Sequence, residues 1–158
     1  MDNREHSEIP DDLNIRPMRI EDLNQVMRIE KSVFSHPWPR EAFLAYLFSS
    51  EPNVYIVAEK QNLLLGYAAA HEKNNKYHLV NMAVKKSWQR TGIGSRLLER
   101  IFQLGREKSI SEIFLEVRES NQRAIAFYEK HKFIRETLRQ NYYTDNNEDA
   151  IIMVRSLK

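Results

Sequence analysis

The spacing of apolar positions switches repeatedly between a period of two and a period near 3.6, and these switches mark out the elements. In "LNIRPMRI", Leu13, Ile15, Met18 and Ile20 alternate around Pro17, predicting a short edge strand where a missing N–H is tolerated. "EDLNQVMRIEKSVF" carries Leu23, Val26, Met27 and Glu30 at helical spacing behind acidic residues that suit a helix start. A second helix follows Pro37 and Pro39, with Phe43, Leu44 and Leu47 in one stripe and Pro39 suited to the first helical position. "NVYIVAEK" and "LLLGYAAAHE", split by "QN", predict a hairpin, and "KYHLVNMAV" is the next strand. After "QRTGIG", Ile93, Leu97, Ile101 and Leu104 line one side of a helix that Leu98 and Phe102 widen. "SEIFLEVRES" sets Ile113, Leu115 and Val117 against Phe114 and Glu116, "NQRAIAFYEKH" is a short helix, and the remainder reads as a long hairpin around "TDNN".

A meander at the front and crossover helices at the back imply a mixed sheet with helices on both faces. The 158 residues, 42% of them hydrophobic, suit one domain over residues 13–158. Residues 1–12 are polar and mostly acidic, and are expected to form a flexible tail, since burial there cannot offset ordering entropy. A formal charge of +2 supplies no strong field toward nucleic acid or acidic membranes, so neither is expected as a partner. The absence of cysteine excludes disulfides, thiolate metal sites and a cysteine nucleophile. Without a signal-peptide core or a long apolar run, the chain reads as cytoplasmic. The five histidines show no metal spacing, so no metal is expected and each histidine should face solvent or pack.

Two of only four glycines stand in "QRTGIG", between a strand and a helix. Such a turn directs backbone N–H groups and the positive helix end at one point, where an anion belongs. Gly92 and Gly94 admit it closely, and Lys85, Lys86 and Arg90 add charge. There is no G-K-[ST] and no third glycine, which argues against a nucleoside triphosphate or nicotinamide dinucleotide.

"NMAVKKSWQRTGIGSRLLE" resembles the pyrophosphate-binding segment of the GNAT acetyltransferases, and "FLEVRESNQRAIAFYEKHKF" and "RQNYYTDNNEDAIIM" are similar to the RimI-type branch, the ribosomal-protein-alanine N-acetyltransferases and their archaeal relatives. The likeness runs from about Ile15 to Met153, with "VFSHPWPREAF" fitting the same branch. It implies an α+β, three-layer α/β/α domain with a central mixed, mostly antiparallel sheet of about seven strands and four helices. It also implies acetyl-CoA as cosubstrate. Met82, Ala83 and Val84 would pair with the pantetheine arm as an added strand. Gln89, Arg90, Thr91, Gly92, Ile93, Gly94 and Ser95 would hold the pyrophosphate, and Asn121 would reach the donor, although it also suits a helix cap.

Glu116, facing away from the aliphatic side of its strand, is the candidate general base, its alternative being a solvated residue or one salt-bridged to Arg118 or a neighbouring strand. Tyr128 is the candidate general acid toward the departing thiolate, its alternative being core packing. Glu30, Phe34, Trp38, Tyr142 and Tyr143 are candidate walls of a groove for a chain terminus, with Trp38 and Tyr142 foremost. The resemblance thus implies acetylation of a protein N-terminus, that of an alanine-starting small-subunit ribosomal protein, by a monomer or weak dimer. A lysine or small amine as acceptor, or a non-catalytic acyl-CoA-binding module, are the other readings. Two positions depart from the family: Lys132 in "HKF" stands where glycine is usual, and Ser95 where arginine or lysine is common.

Overall fold

Residues 55–58, 64–70 and 150–154 are buried at every position, so the sheet is covered on both faces. The computed structural model describes residues 6–158. Strands β1 (Asn14–Pro17), β2 (Val54–Lys60), β3 (Leu63–Lys73), β4 (Lys76–Val84), β5 (Glu112–Arg118), β6 (Ile134–Arg139) and β7 (Ala150–Ser156) form one sheet in the order β1-β2-β3-β4-β5-β7-β6. All neighbours are antiparallel except β4 and β5. Helices α1 (Leu23–Val33) and α2 (Arg40–Leu47) bury Val26, Met27 and Phe43 against Tyr55, Val57, Tyr67 and Ala69. Helices α3 (Ile93–Glu107) and α4 (Gln122–Lys130) bury Leu97, Ile101 and Ile125 against the other face, at Ile56, Ala58, Ala68 and Leu115. The α+β three-layer arrangement is thus present.

Local chemistry explains the turns. Gln61 and Asn62 hold φ of 48° and 67°, the left-handed pair that a two-residue hairpin needs, and Asn74 and Asn75 repeat it at 53° and 60°. The first strand is shorter than expected, because Ile20–Asp22 form a 3-10 turn. Asp22 there accepts both Arg16 guanidinium nitrogens at 2.8 Å and the Arg19 N–H at 2.7 Å. Pro39 is extended (φ −71°, ψ 154°) and stands just before α2 rather than inside it.

Residues 6–12 depart from the expected flexible tail. His6 stacks on Trp88 at 3.5 Å between ring centres, its N–H reaches Ser87 O at 3.1 Å, and Ile9 packs on the core. The part of that expectation covering residues 1–5 lies outside the described residues.

Two irregularities interrupt the sheet at β4. β4 and β5 pair only from Lys76↔Glu112 to His78↔Phe114 and then part, while β4 stays bound to β3 as far as Val84. A bulge in β4 opposite Ala69 and Ala70 also resets its alternation. Leu79 faces α3, Val80 and Ala83 face α1, and Met82 and Val84 face α3 again.

The end of α4 resolves the lysine that replaces the usual glycine. Phe133 N–H bonds Tyr128 O at 3.0 Å and Lys132 N–H bonds Glu129 O at 2.9 Å, with Lys132 at φ 66°. This is a Schellman ending, and its apolar contact is Tyr128 against Phe133, with ring centres 5.5 Å apart. Lysine therefore carries a left-handed conformation that costs about 1 kcal/mol more than glycine. Lys132→Gly is expected to stabilise the fold by about 1 kcal/mol in urea denaturation without changing the position of Tyr128.

Candidate active site

The parting of β4 and β5 opens a cleft of about 390 Å³. One wall is β4 (Leu79, Val80, Asn81, Met82) and the other is β5 (Leu115, Glu116, Val117, Arg118). Asn121, Ala124 and Tyr128 of the α4 region close one side; Glu30, Phe34, Ser35, His36, Trp38 and Tyr143 close the other.

From the cleft wall at Met82, β4 runs on to Val84 and the chain enters the glycine turn. Arg90 (φ 62°) and Gly92 (φ 105°) both turn left-handed, which folds the loop tightly into α3. The first bond of α3 runs from Arg96 N–H to Gly92 O, so the N–H groups of Ile93, Gly94 and Ser95 have no acceptor within the helix. A Cβ on Gly94 would stand 3.4 Å from the Phe127 ring, so this approach is kept narrow. These backbone donors, with Lys85, Lys86 and Arg90 nearby in sequence, have the chemistry of a diphosphate site. The side chains contribute otherwise: Gln89 Nε2 donates to Val84 O at 3.0 Å, Thr91 Oγ1 to Trp88 O at 2.7 Å, and Ile93 is core. Ser95 Oγ lies 2.9 Å from His131 Nε2. Beyond His78, the β4 edge facing β5 has no strand partner, so Met82, Ala83 and Val84 lie along a free edge.

Glu116 and Tyr128 come together in this cleft. Glu116 faces away from Leu115 and Val117 as expected, but its partner is His78, with Nε2 2.5 Å from Oε2. Tyr128 is half-buried and packed between Phe127 and Phe133. Burial, with a smaller contribution from Tyr143, pushes its hydroxyl above the ordinary phenol range. Asn121 accepts the Ala124 N–H at 3.2 Å, so it caps α4 as well as lining the cleft.

Glu30 lines the cleft, with its carboxylate held from within the fold. It is 1% exposed, and its carboxylate accepts the Trp38 N–H at 2.8 Å, Asn81 Nδ2 at 3.1 Å and the Tyr67 hydroxyl. Burial raises its pKa against the pull of those bonds. Its work is to hold Trp38 and β4 in place.

Arg118 builds the site without any sign of it in the local pattern. Its guanidinium bonds both Asp145 oxygens at 3.1 Å and Glu148 Oε1 at 3.4 Å, and it lies 3.9 Å from the Tyr143 ring centre. It thereby folds the loop between β6 and β7 over the cleft, and Asp145 Oδ2 reaches to 3.6 Å from His36 Nδ1 on the opposite rim. Tyr143 is drawn into the cleft wall, whereas Tyr142 stands 40% exposed outside it, packed edge-on against Tyr143. Three histidines do more than face solvent or pack. His78 meets Glu116, His71 meets Tyr55 Oη at 2.8 Å, and His131 meets Ser95.

Comparison with known proteins gives the same picture. Residues 23–133 match the Acetyltransferase (GNAT) family. A Bacillus subtilis (strain 168) protein, named as a candidate ribosomal protein bS18-alanine N-acetyltransferase, is 36% identical over 139 residues, 88% of this chain and 92% of its own. The ribosomal protein bS18-alanine N-acetyltransferase of Escherichia coli (strain K12) is 33% identical over 141 residues, 88% of this chain and 94% of its own. The crystal structure of the ribosomal-protein-S18-alanine N-acetyltransferase from Escherichia coli superposes with a TM-score of 0.84 at 31% identity, covering 92% of this chain and 94% of that one. With a family match across most of its length and relatives above 30% identity along nearly all of it, this chain belongs to the GNAT acetyltransferase family.

Proposed function

We propose that the protein transfers the acetyl group of acetyl-CoA to the N-terminal α-amine of a protein, that of an alanine-starting ribosomal protein. The observation that carries this reading is the parted pair β4 and β5, whose cleft brings Glu116 and Tyr128 together beside the strand that runs on toward the glycine turn. The activity named for the Escherichia coli relative, a ribosomal-protein-alanine N-acetyltransferase, supports the acceptor.

The N–H groups at the start of α3 hold the diphosphate, and the free edge of β4 pairs with the pantetheine arm. Glu116 takes the proton of the α-ammonium, leaving the nitrogen lone pair to attack the thioester carbonyl. An α-amino group near pKa 8 is about a tenth neutral at pH 7, whereas a lysine near 10.4 is roughly a thousandfold below full deprotonation. A modest base therefore suffices for a chain terminus. A β4 backbone N–H steadies the oxyanion; Tyr128, which keeps its proton throughout the neutral range, donates to the sulfur as the C–S bond breaks, and the second proton of the amine, released as the amide forms, restores the phenol.

The β6–β7 loop held by Arg118 roofs the groove and favours a chain end over an internal lysine. Tyr143→Ala is expected to raise the KM for peptide several-fold with that for acetyl-CoA unchanged, and Tyr142→Ala to do so less. Equal effects of the two on peptide KM would return Tyr142 to the groove wall. The reaction itself is tested with acetyl-CoA and peptides starting Ala, Ser, Gly or Met, beside an N-terminally blocked peptide with an internal lysine. Mass spectrometry should place the acetyl group on the α-amine; modification of the blocked peptide alone overturns the assignment.

A further inference from the structure

His78 is the last β4 residue paired with β5, opposite Phe114, and Glu116 is the next residue of β5 on the same face. Past that point β5 has no β4 neighbour, so a carboxylate there would swing across the gap. It does not, because His78 Nε2 lies 2.5 Å from Glu116 Oε2, within the range of a strong charge-assisted bond. The imidazole is itself fixed, stacked on Phe114 with ring centres 4.5 Å apart and planes 12° from parallel. The His78 side chain is 29% exposed and that of Glu116 11%, so the ring communicates with solvent while the carboxylate faces the cleft.

We propose that His78 is a positioning residue for the acetyl transfer: its Nε2–H grips Oε2 of Glu116 and leaves Oε1 as the oxygen that receives the amine proton. This rests on Glu116 acting as the base. The proton passes from the α-ammonium nitrogen to Oε1, directly or through water, and the lone pair it leaves forms the new N–C bond.

The titratable groups around His78 come from each neighbouring element. His71 is its cross-strand partner on β3 and contacts Tyr55 Oη, Lys76 lies two residues back on β4, and Glu116 is on β5. The hydroxyls of Tyr142 and Tyr143 from the β6–β7 loop feel the Glu116 charge. Burial and then the neighbouring His78 hold His71 below the ordinary imidazole range.

The experiment compares His78→Phe, which keeps the stack on Phe114 without the donor, with His78→Gln, which restores a donor that does not titrate. His78→Phe is expected to lower kcat about 10- to 100-fold with the acetyl-CoA KM unchanged, the scale of a lost hydrogen bond to a charged group. His78→Gln should recover most of the loss. Wild-type kcat in His78→Phe, or no recovery in His78→Gln, overturns the proposal. Independently of activity, ¹⁵N spectra of the His78 ring should show the hydrogen on Nε2 and a changed Nε2 shift in Glu116→Gln. An Nδ1–H ring indifferent to that substitution overturns it as well. If wild-type protein acetylates no peptide, the proposed reaction fails, and the spectra alone decide the His78 contact.

Discussion

Glu116→Gln is expected to lower kcat by about 10² to 10⁴ and to leave the Kd for acetyl-CoA unchanged, the usual yield of a positioned general base. The substitution preserves shape and removes only the capacity to accept a proton. Glu116 stands on the β5 wall of the cleft, apart from the glycine turn, so a calorimetric titration of the variant with acetyl-CoA should match that of wild type. Tyr128→Phe belongs to the same argument. It keeps the ring contacts with Phe127 and Phe133 and removes a hydroxyl that no other described side chain is found to bond, so its loss should appear in kcat over a similar range. Wild-type turnover in either variant removes that residue from the mechanism.

The second large effect is on stability. Glu30→Ala strips the acceptor from Trp38 N–H, Asn81 Nδ2 and the Tyr67 hydroxyl, in a site that is almost fully buried. Each donor left unpaired costs about 1–3 kcal/mol, so the total should exceed about 3 kcal/mol in urea denaturation. Glu30→Gln, which retains an acceptor oxygen and the volume, should cost clearly less. The pH dependence gives a separate signature. Because burial raises the Glu30 pKa, the folded state holds a proton that the unfolded chain releases near 4.5. The resulting stability is full below that value and is lost as pH climbs through the folded pKa. Glu30→Gln should abolish this decline. An unchanged slope above pH 4.5 would show that Glu30 is not its source.

How much the sequence disclosed depended on the range of the interaction. Strands, helices and the glycine turn follow from local periodicity and backbone chemistry and were visible, whereas the left-handed conformation at Lys132 was one of two endings its departure from glycine left open. The cleft itself was implied only through the family likeness, since the parting of β4 and β5 is a matter of register between segments some thirty residues apart. The His78–Glu116 contact depends on that register and is hidden for the same reason. Glu30 lines the cleft, and a cue to its burial existed: it continues the stripe of Leu23, Val26 and Met27 that faces the sheet, which already marks a buried carboxylate. Arg118 had no such cue, because the acidic residues that engage it sit in a loop without periodicity.

The short stretch of pairing between Lys76–His78 and Glu112–Phe114 divides the sheet into two leaves, β1 to β4 and β5 to β7, laced by little backbone. On the proposed reading, the donor's pantetheine arm supplies stitches that the polypeptide omits, so loading and stiffening become one event. Enzyme starved of donor is then the looser species, and supply of the metabolite governs how long the protein survives proteolysis as well as how fast it turns over.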